Sequence, residues 1–220
     1  MIMPPKVKIC CISSVEEAKI AIRHGADFIG LVSEMPSGPG VIPDEKIEHI
    51  ISHVKNQPVK TVLLTSKVDV NKIISQQKEL KPSAIQLVNH LLPKTLMLLK
   101  KNLPETILIQ VIHVENEKSI AYALEISPFV DFLLLDSGMP ANGILGGTGN
   151  VHDWKLSKKI IEHSEKPVFL AGGLKPDNVK EAIQLTNAFG VDVCSGVRTD
   201  GTLDEKKLKT FMKNCGKNLL

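Results

Sequence analysis

The sequence predicts one (β/α)8 barrel. Three observations carry that expectation: eight short apolar runs rich in β-branched residues, a helix-spaced pattern after each of them, and no GxGxxG turn behind the first. Strands that are apolar almost throughout fit a parallel sheet buried on both faces. Helical connections between them imply right-handed crossovers. A doubly wound open sheet would alternate in the same way, but eight units without the glycine-rich dinucleotide turn favour closure. The chain has 220 residues, 43% of them hydrophobic. That is enough for one core, since such barrels run to roughly 200–250 residues, and a single domain over residues 1–220 is expected.

Taken in order, Val7 to Ile12 reads as the first strand. Ser14 opens a helix, and Glu17 three residues later completes the pattern of a capping box. Gly25 ends that helix, as a residue suited to the left-handed turn. Phe28 to Val32 is the second strand, and Pro43 starts the next helix after the loop Pro36 to Gly40. The later strands are expected at Val59–Leu64, Ala84–Val88, Ile107–Ile112, Val130–Leu135, Val168–Leu170 and Val191–Val193. Helices are expected near Val70–Leu80, Pro93–Lys101, Asn116–Ile126, Trp154–Glu162, Pro176–Thr186 and Asp204–Asn214.

Composition removes several function classes. Lys and Arg number 27 against 24 Asp and Glu, a net charge of +3. That balance is too even to argue for nucleic acid or an anionic membrane surface. Cys10, Cys11, Cys194 and Cys215 show neither metal spacing nor a disulfide framework. The opening MIMPPKVKIC has no signal-type apolar core, and no apolar run approaches the roughly 20 residues of a membrane span. A reducing cytoplasm is the expected location.

In this fold, chemistry sits at the C-terminal ends of the strands. Strand seven ends in Ala171, Gly172 and Gly173; strand eight ends in Cys194, Ser195, Gly196, Val197 and Arg198. Backbone N–H groups approach an anion closely only where no Cβ intervenes, and barrels often build a phosphate site from these two loops. One such glycine pair would be read as a tight turn. Two neighbouring strand ends together make Gly172, Gly173, Ser195 and Gly196 candidate phosphate ligands. The glycines at 146 to 149 either close the site or form a plain loop.

Asp136 follows the apolar run Phe132 to Leu135 and so stands at the barrel mouth. There it is either a general acid whose pKa burial raises, or a turn-forming carboxylate. Cys10 is either a base or nucleophile at the mouth of strand one, or a small buried hydrophobe. Alternation sends Cys10 and Cys11 to opposite faces, so only one faces inward. Lys8 shares the face of Cys10, where it either supplies positive charge to the site or forms a buried ion pair. His24, His90 and His163 read as surface residues; His152 lies near the site without a second ligand at metal spacing.

These motifs carry a resemblance. VKIC followed by CIS resembles the opening strand of the phosphoribosylanthranilate isomerase family. GADFIGLV, AIQLV, FLLLDS, GGTGNVHDW, FLAGGLKPDNVKEAI and GVDVCSGVR follow in that family's order and at similar spacing. The resemblance implies an Amadori rearrangement of N-(5-phosphoribosyl)anthranilate to 1-(2-carboxyphenylamino)-1-deoxyribulose 5-phosphate, in tryptophan biosynthesis, with no cofactor or metal. It implies Cys10 as general base and Asp136 as general acid. It places Asp192 and Gly147 near the substrate and allows a monomer or a homodimer.

The sequence also departs from the family pattern. The loop after strand two carries Gly40 where the family has an Arg that helps hold the anthranilate carboxylate. Cys11 stands for Gly, Val88 and Asn89 stand where a His often follows, and Arg198 stands for Glu. An Arg introduced at position 40 probes this departure, since a large gain in affinity for the anthranilate substrate would mark the loop as the point of divergence, and Arg198 could replace the lost charge from the other side. A second expectation therefore stays open: a paralogous isomerase, or a binding protein, for a different phosphorylated sugar.

Overall fold

The computed structural model describes residues 4–137 and 153–217. Eight parallel strands close into a barrel in sequence order: β1 (Lys6–Ile9), β2 (Phe28–Val32), β3 (Lys60–Thr65), β4 (Ala84–Leu87), β5 (Ile107–His113), β6 (Phe132–Asp136), β7 (Val168–Leu170) and β8 (Gly190–Val193). Closure pairs β1 with β8, with Lys8 opposite Asp192 and Ile9 opposite Val193. The helices are α1 (Val15–Arg23), α2 (Asp44–Val54), α3 (Val70–Leu80), α4 (Pro93–Asn102), α5 (Glu117–Ile126), α6 (Trp154–His163), α7 (Val179–Thr186) and α8 (Glu205–Asn214). A small antiparallel pair, β9 (Arg198–Thr199) with β10 (Thr202–Leu203), precedes α8.

Strand alternation divides the core in two. Leu63, Ile85, Leu108, Leu133 and Leu135 point outward and pack under the helices. Val62, Leu64, Ala84, Ile109, Val111 and Leu134 point inward and fill the barrel. Phe28, Phe132 and Phe169 meet edge to face at the strands' lower ends, with centroids 5.3 to 6.2 Å apart. Gly190 leaves room for this plug, because a Cβ there would lie 2.5 Å from the Phe169 ring. The bottom of the barrel is thus sealed by aromatic packing, and the open end is left for chemistry.

Local signals placed most elements within two residues. Asp69, Asp153 and Asp204 each cap a helix with a side-chain oxygen. Three expectations need correction. Strand one does not run to Ile12: Cys11 takes φ +61, and this left-handed residue ends the ladder. The capping box at Ser14 is only half made. Ser14 Oγ accepts from the Glu17 N–H, but Glu17 turns to the N–H of Ser13 and to Arg198. Helix α7 starts at Val179 rather than Pro176, because Asn178 bonds the Lys175 N–H and the Gly173 carbonyl and shapes the preceding turn.

Candidate active site

A pocket opens at the C-terminal ends of the strands. Cys10, Asp136, Gly172, Gly173, Asp192 and Ser195 all line it. Both proton-transfer candidates and both phosphate loops therefore share one cavity. Gly147, the glycines at 146 to 149 and His152 lie outside the described residues.

The candidate phosphate side is built from the two glycine-rich turns. Gly172 and Gly173 sit at φ +79 and +64, a conformation that side chains resist. Asn178 Nδ2 donates to the Gly173 carbonyl at 3.0 Å and holds the turn. Ser195 opens a single 3-10 turn, Ser195–Val197, after β8. Gly196 is absent from the pocket wall. Its role is contact between loops, since a Cβ there would collide with the Leu174 carbonyl oxygen. Loops seven and eight are thereby pressed together.

Beneath the mouth, Lys8 is fully buried and its Nζ lies 2.9 Å from Asp192 Oδ1. Both expectations for Lys8 meet here: it is in an ion pair, and it also faces Cys10. Burial opposes both charges. Asp192 and Cys10 nevertheless hold Lys8 protonated above its usual range. Burial pushes Asp192 up against the pull of Lys8. The Cys10 thiol is pushed up to about 11, chiefly by burial and partly by Asp192, with Lys8 pulling the other way. A Cβ on Gly30 would lie 2.8 Å from Cys10 Sγ, so the glycine of β2 makes space for the thiol.

Asp136 ends β6 opposite His113 of β5, and its Oδ1 accepts from the Ser137 N–H at 2.7 Å. Burial raises its pKa, and Asp192 adds to that; the Ser137 N–H, His113 and Lys8 oppose it. A carboxyl held above its ordinary range can donate a proton near neutrality. Gln86 of β4 also lines the pocket. Its Oε1 is buried without a hydrogen-bond partner among the described residues. Its place in AIQLV was legible, but its direction was not.

Three readings of the sequence change at this site. Cys11 and Cys194 form a disulfide across the β1 and β8 loops, with Cα atoms 5.9 Å apart and 183 residues between them. No spacing in the sequence announced it. Cys10 and Cys11 both line the pocket, because the left-handed Cys11 breaks the alternation. Arg198 offers no charge to a ligand: its guanidinium takes both Glu17 carboxylate oxygens, at 2.9 and 3.0 Å, and the carbonyls of Cys11 and Gly201. The disulfide predicts a thiol count. In denaturant, protein purified without reductant should show two reactive thiols, Cys10 and Cys215, and four after reduction. Four before reduction would mean that the bond does not form in the isolated protein.

Position 40 cannot take the Arg envisaged from the sequence. Gly40 sits at φ +78, and a Cβ there would lie 2.5 Å from that of Cys11. The glycine is needed because the loop packs directly on the Cys11 backbone.

The model of the family described as N-(5'-phosphoribosyl)anthranilate (PRA) isomerase matches residues 7–214. The chain belongs to this family. Among its relatives, N-(5'-phosphoribosyl)anthranilate isomerase 2 of Methanosarcina mazei is 34% identical over 208 residues, spanning 94% of this chain and 92% of the relative. The Methanosarcina acetivorans isomerase is 33% identical over 222 residues, with the same coverage. The solved phosphoribosyl anthranilate isomerase of Thermotoga maritima superposes with a TM-score of 0.81 at 29% identity, covering 96% of this chain and 98% of that one. Another isomerase structure, in complex with reduced 1-(o-carboxyphenylamino)-1-deoxyribulose 5-phosphate, gives 0.79 at 28% identity with the same coverage.

Proposed function

We propose that this protein isomerises N-(5-phosphoribosyl)anthranilate to 1-(2-carboxyphenylamino)-1-deoxyribulose 5-phosphate in tryptophan biosynthesis, using its own side chains and no cofactor. The observation that carries the reading is the meeting of Cys10, Asp136 and the paired glycine loops in one pocket. The phosphate rests against Gly172, Gly173 and Ser195, where backbone N–H groups and the Ser hydroxyl are within reach of its oxygens. The ribose then lies over Lys8, Cys10 and Asp136.

Protonated Asp136 gives its proton to the ring oxygen as the bond from that oxygen to C1 breaks. The nitrogen lone pair forms the C1=N bond, leaving a cationic Schiff base. The Cys10 thiolate removes the C2 proton, and the electrons move to nitrogen through C1=C2. The enolamine gains a proton at C1 and loses one from the C2 hydroxyl, which gives the ketone. The order of events fits the electrostatics. Cys10 rests mostly as a thiol because it is buried; the reacting minority has already given that proton to solvent, and the positive charge of the Schiff base steadies its thiolate.

The test is loss of substrate fluorescence on addition of purified protein, followed across pH. The acid must be protonated and the base deprotonated, although the thiol at about 11 titrates above the carboxyl. The active form is then a constant minority between the two pKa values. Accordingly, kcat/KM should stay level from above the ordinary carboxylate range to the far alkaline side, falling off only below and above it. An alkaline fall beginning near 8.5, as for an exposed thiol, would rule out Cys10 as the buried base. Absence of turnover at every pH would overturn the function.

A further inference from the structure

We infer that this pocket takes phosphoribosylated arylamines with an uncharged ring, and that it does not depend on a ring carboxylate for recognition. The inference rests on the isomerase reading and concerns the end of the substrate that carries no phosphate. The barrel closes in sequence order, so β3 and β4 stand diametrically across from β7 and β8. With the phosphate on the β7 and β8 loops and the sugar over Cys10 and Asp136, the aryl group must lie against the opposite wall. That wall consists of Val32, Met35, Leu64, Val88 and Val111, with Gln86 below them.

The wall is apolar and uncharged, and among the described residues no Lys, Arg or His lines the pocket. The cations nearby among the described residues each have a partner or a place of their own. Lys8 is buried against Asp192, and Arg198 is held by Glu17. Lys67 faces a separate depression with Glu34 and Asp44. His113 has its Nε2 bonded to the Val88 carbonyl. The stretch 138–152, outside the described residues, contains neither Lys nor Arg, and its one His is His152. Gly40 admits no side chain. A ring carboxylate would leave water for a wall of methyl groups, in a cavity whose titratable lining groups besides Cys10 are the carboxyls Asp136 and Asp192. An uncharged ring gains the same apolar contact without that desolvation.

The experiment compares kcat/KM for N-(5-phosphoribosyl)anthranilate and N-(5-phosphoribosyl)aniline, both prepared from ribose 5-phosphate and the amine. Product is followed by the loss of the anomeric proton signal. The aniline substrate should match the anthranilate within tenfold or exceed it. A site with a cation for the carboxylate would favour anthranilate by about 100-fold or more. A preference for anthranilate above tenfold overturns the inference while leaving the isomerase reading intact. Turnover of neither substrate removes the isomerase reading and this inference with it. The variant Met35→Arg puts a cation on the wall and should move the ratio at least tenfold toward anthranilate. An unmoved ratio would show that the ring does not lie there, and would also overturn the inference.

Discussion

Replacing Cys10 by Ser, or Asp136 by Asn, is expected to lower kcat by about 10²–10⁴-fold, the usual share of one positioned acid or base. The two changes should leave the fold in place, for different reasons. Ser keeps nearly the shape of Cys10 in the space that Gly30 provides, but its hydroxyl is a far weaker source of an anion. Asn keeps an oxygen for the Ser137 N–H that Asp136 accepts at 2.7 Å. It also removes a carboxyl that burial penalises when ionised. The Asp136→Asn protein should therefore melt at or above the wild-type temperature while its turnover falls. Thermal melts paired with the fluorescence assay check both halves. Retained turnover in either variant would sink its proposed role, and a large fall in Tm would show Asp136 to be a structural group.

The second large effect belongs to Arg198. It and Glu17 form a nearly buried pair, with side chains 9% and 8% exposed. Burial works to raise Glu17, but the Arg198 guanidinium and the N–H groups of Leu203 and Ser13 outweigh it and hold the carboxyl below its usual range. Truncating Arg198 to Leu leaves that carboxylate buried and unpaired and strips a donor from the Cys11 and Gly201 carbonyls. The expected loss is about 3–5 kcal/mol, a fall in Tm on the order of 10 °C for a chain of this size. Denaturant unfolding and thermal melts at neutral pH measure it. The double change with Glu17→Met should cost less than the sum of the two single changes, because the orphaned charge has gone.

The pH dependence of this pair has a definite sign. Glu17 is depressed in the folded protein, so its stabilising contribution is whole above the ordinary carboxylate pKa. It disappears as pH falls through the folded value. Wild-type protein should lose part of its advantage over Arg198→Leu in that acid window. An advantage that stays constant through it would show that packing, and not charge, makes the difference.

The residues that sequence reasoning found share one property: their signal is local. Apolar runs such as Val59–Leu64 are read from adjacent residues alone. Ser14 announces a helix start because it bonds its own first turn. Gly172 and Gly173 mark a turn of positive φ wherever they stand. Asp136 is brought to the mouth simply by ending a strand. Gly196 was legible as a glycine, but its reason, the Leu174 carbonyl against it, was not.

By itself, then, the sequence determined eight strand–helix units, the end of the barrel where chemistry sits, and the thiol, carboxyl and glycine loops placed there. Only the tertiary structure decided that Lys8 pairs with Asp192, that Cys11 bonds to Cys194, that Arg198 turns to Glu17, and that Gly40 leaves no room for an arginine. The first three of these join residues more than 180 positions apart, and they meet because closure sets β1 against β8. A contact made by closing a ring is a property of the ring, and neither side chain carries a local mark of the partner it will meet across the seam.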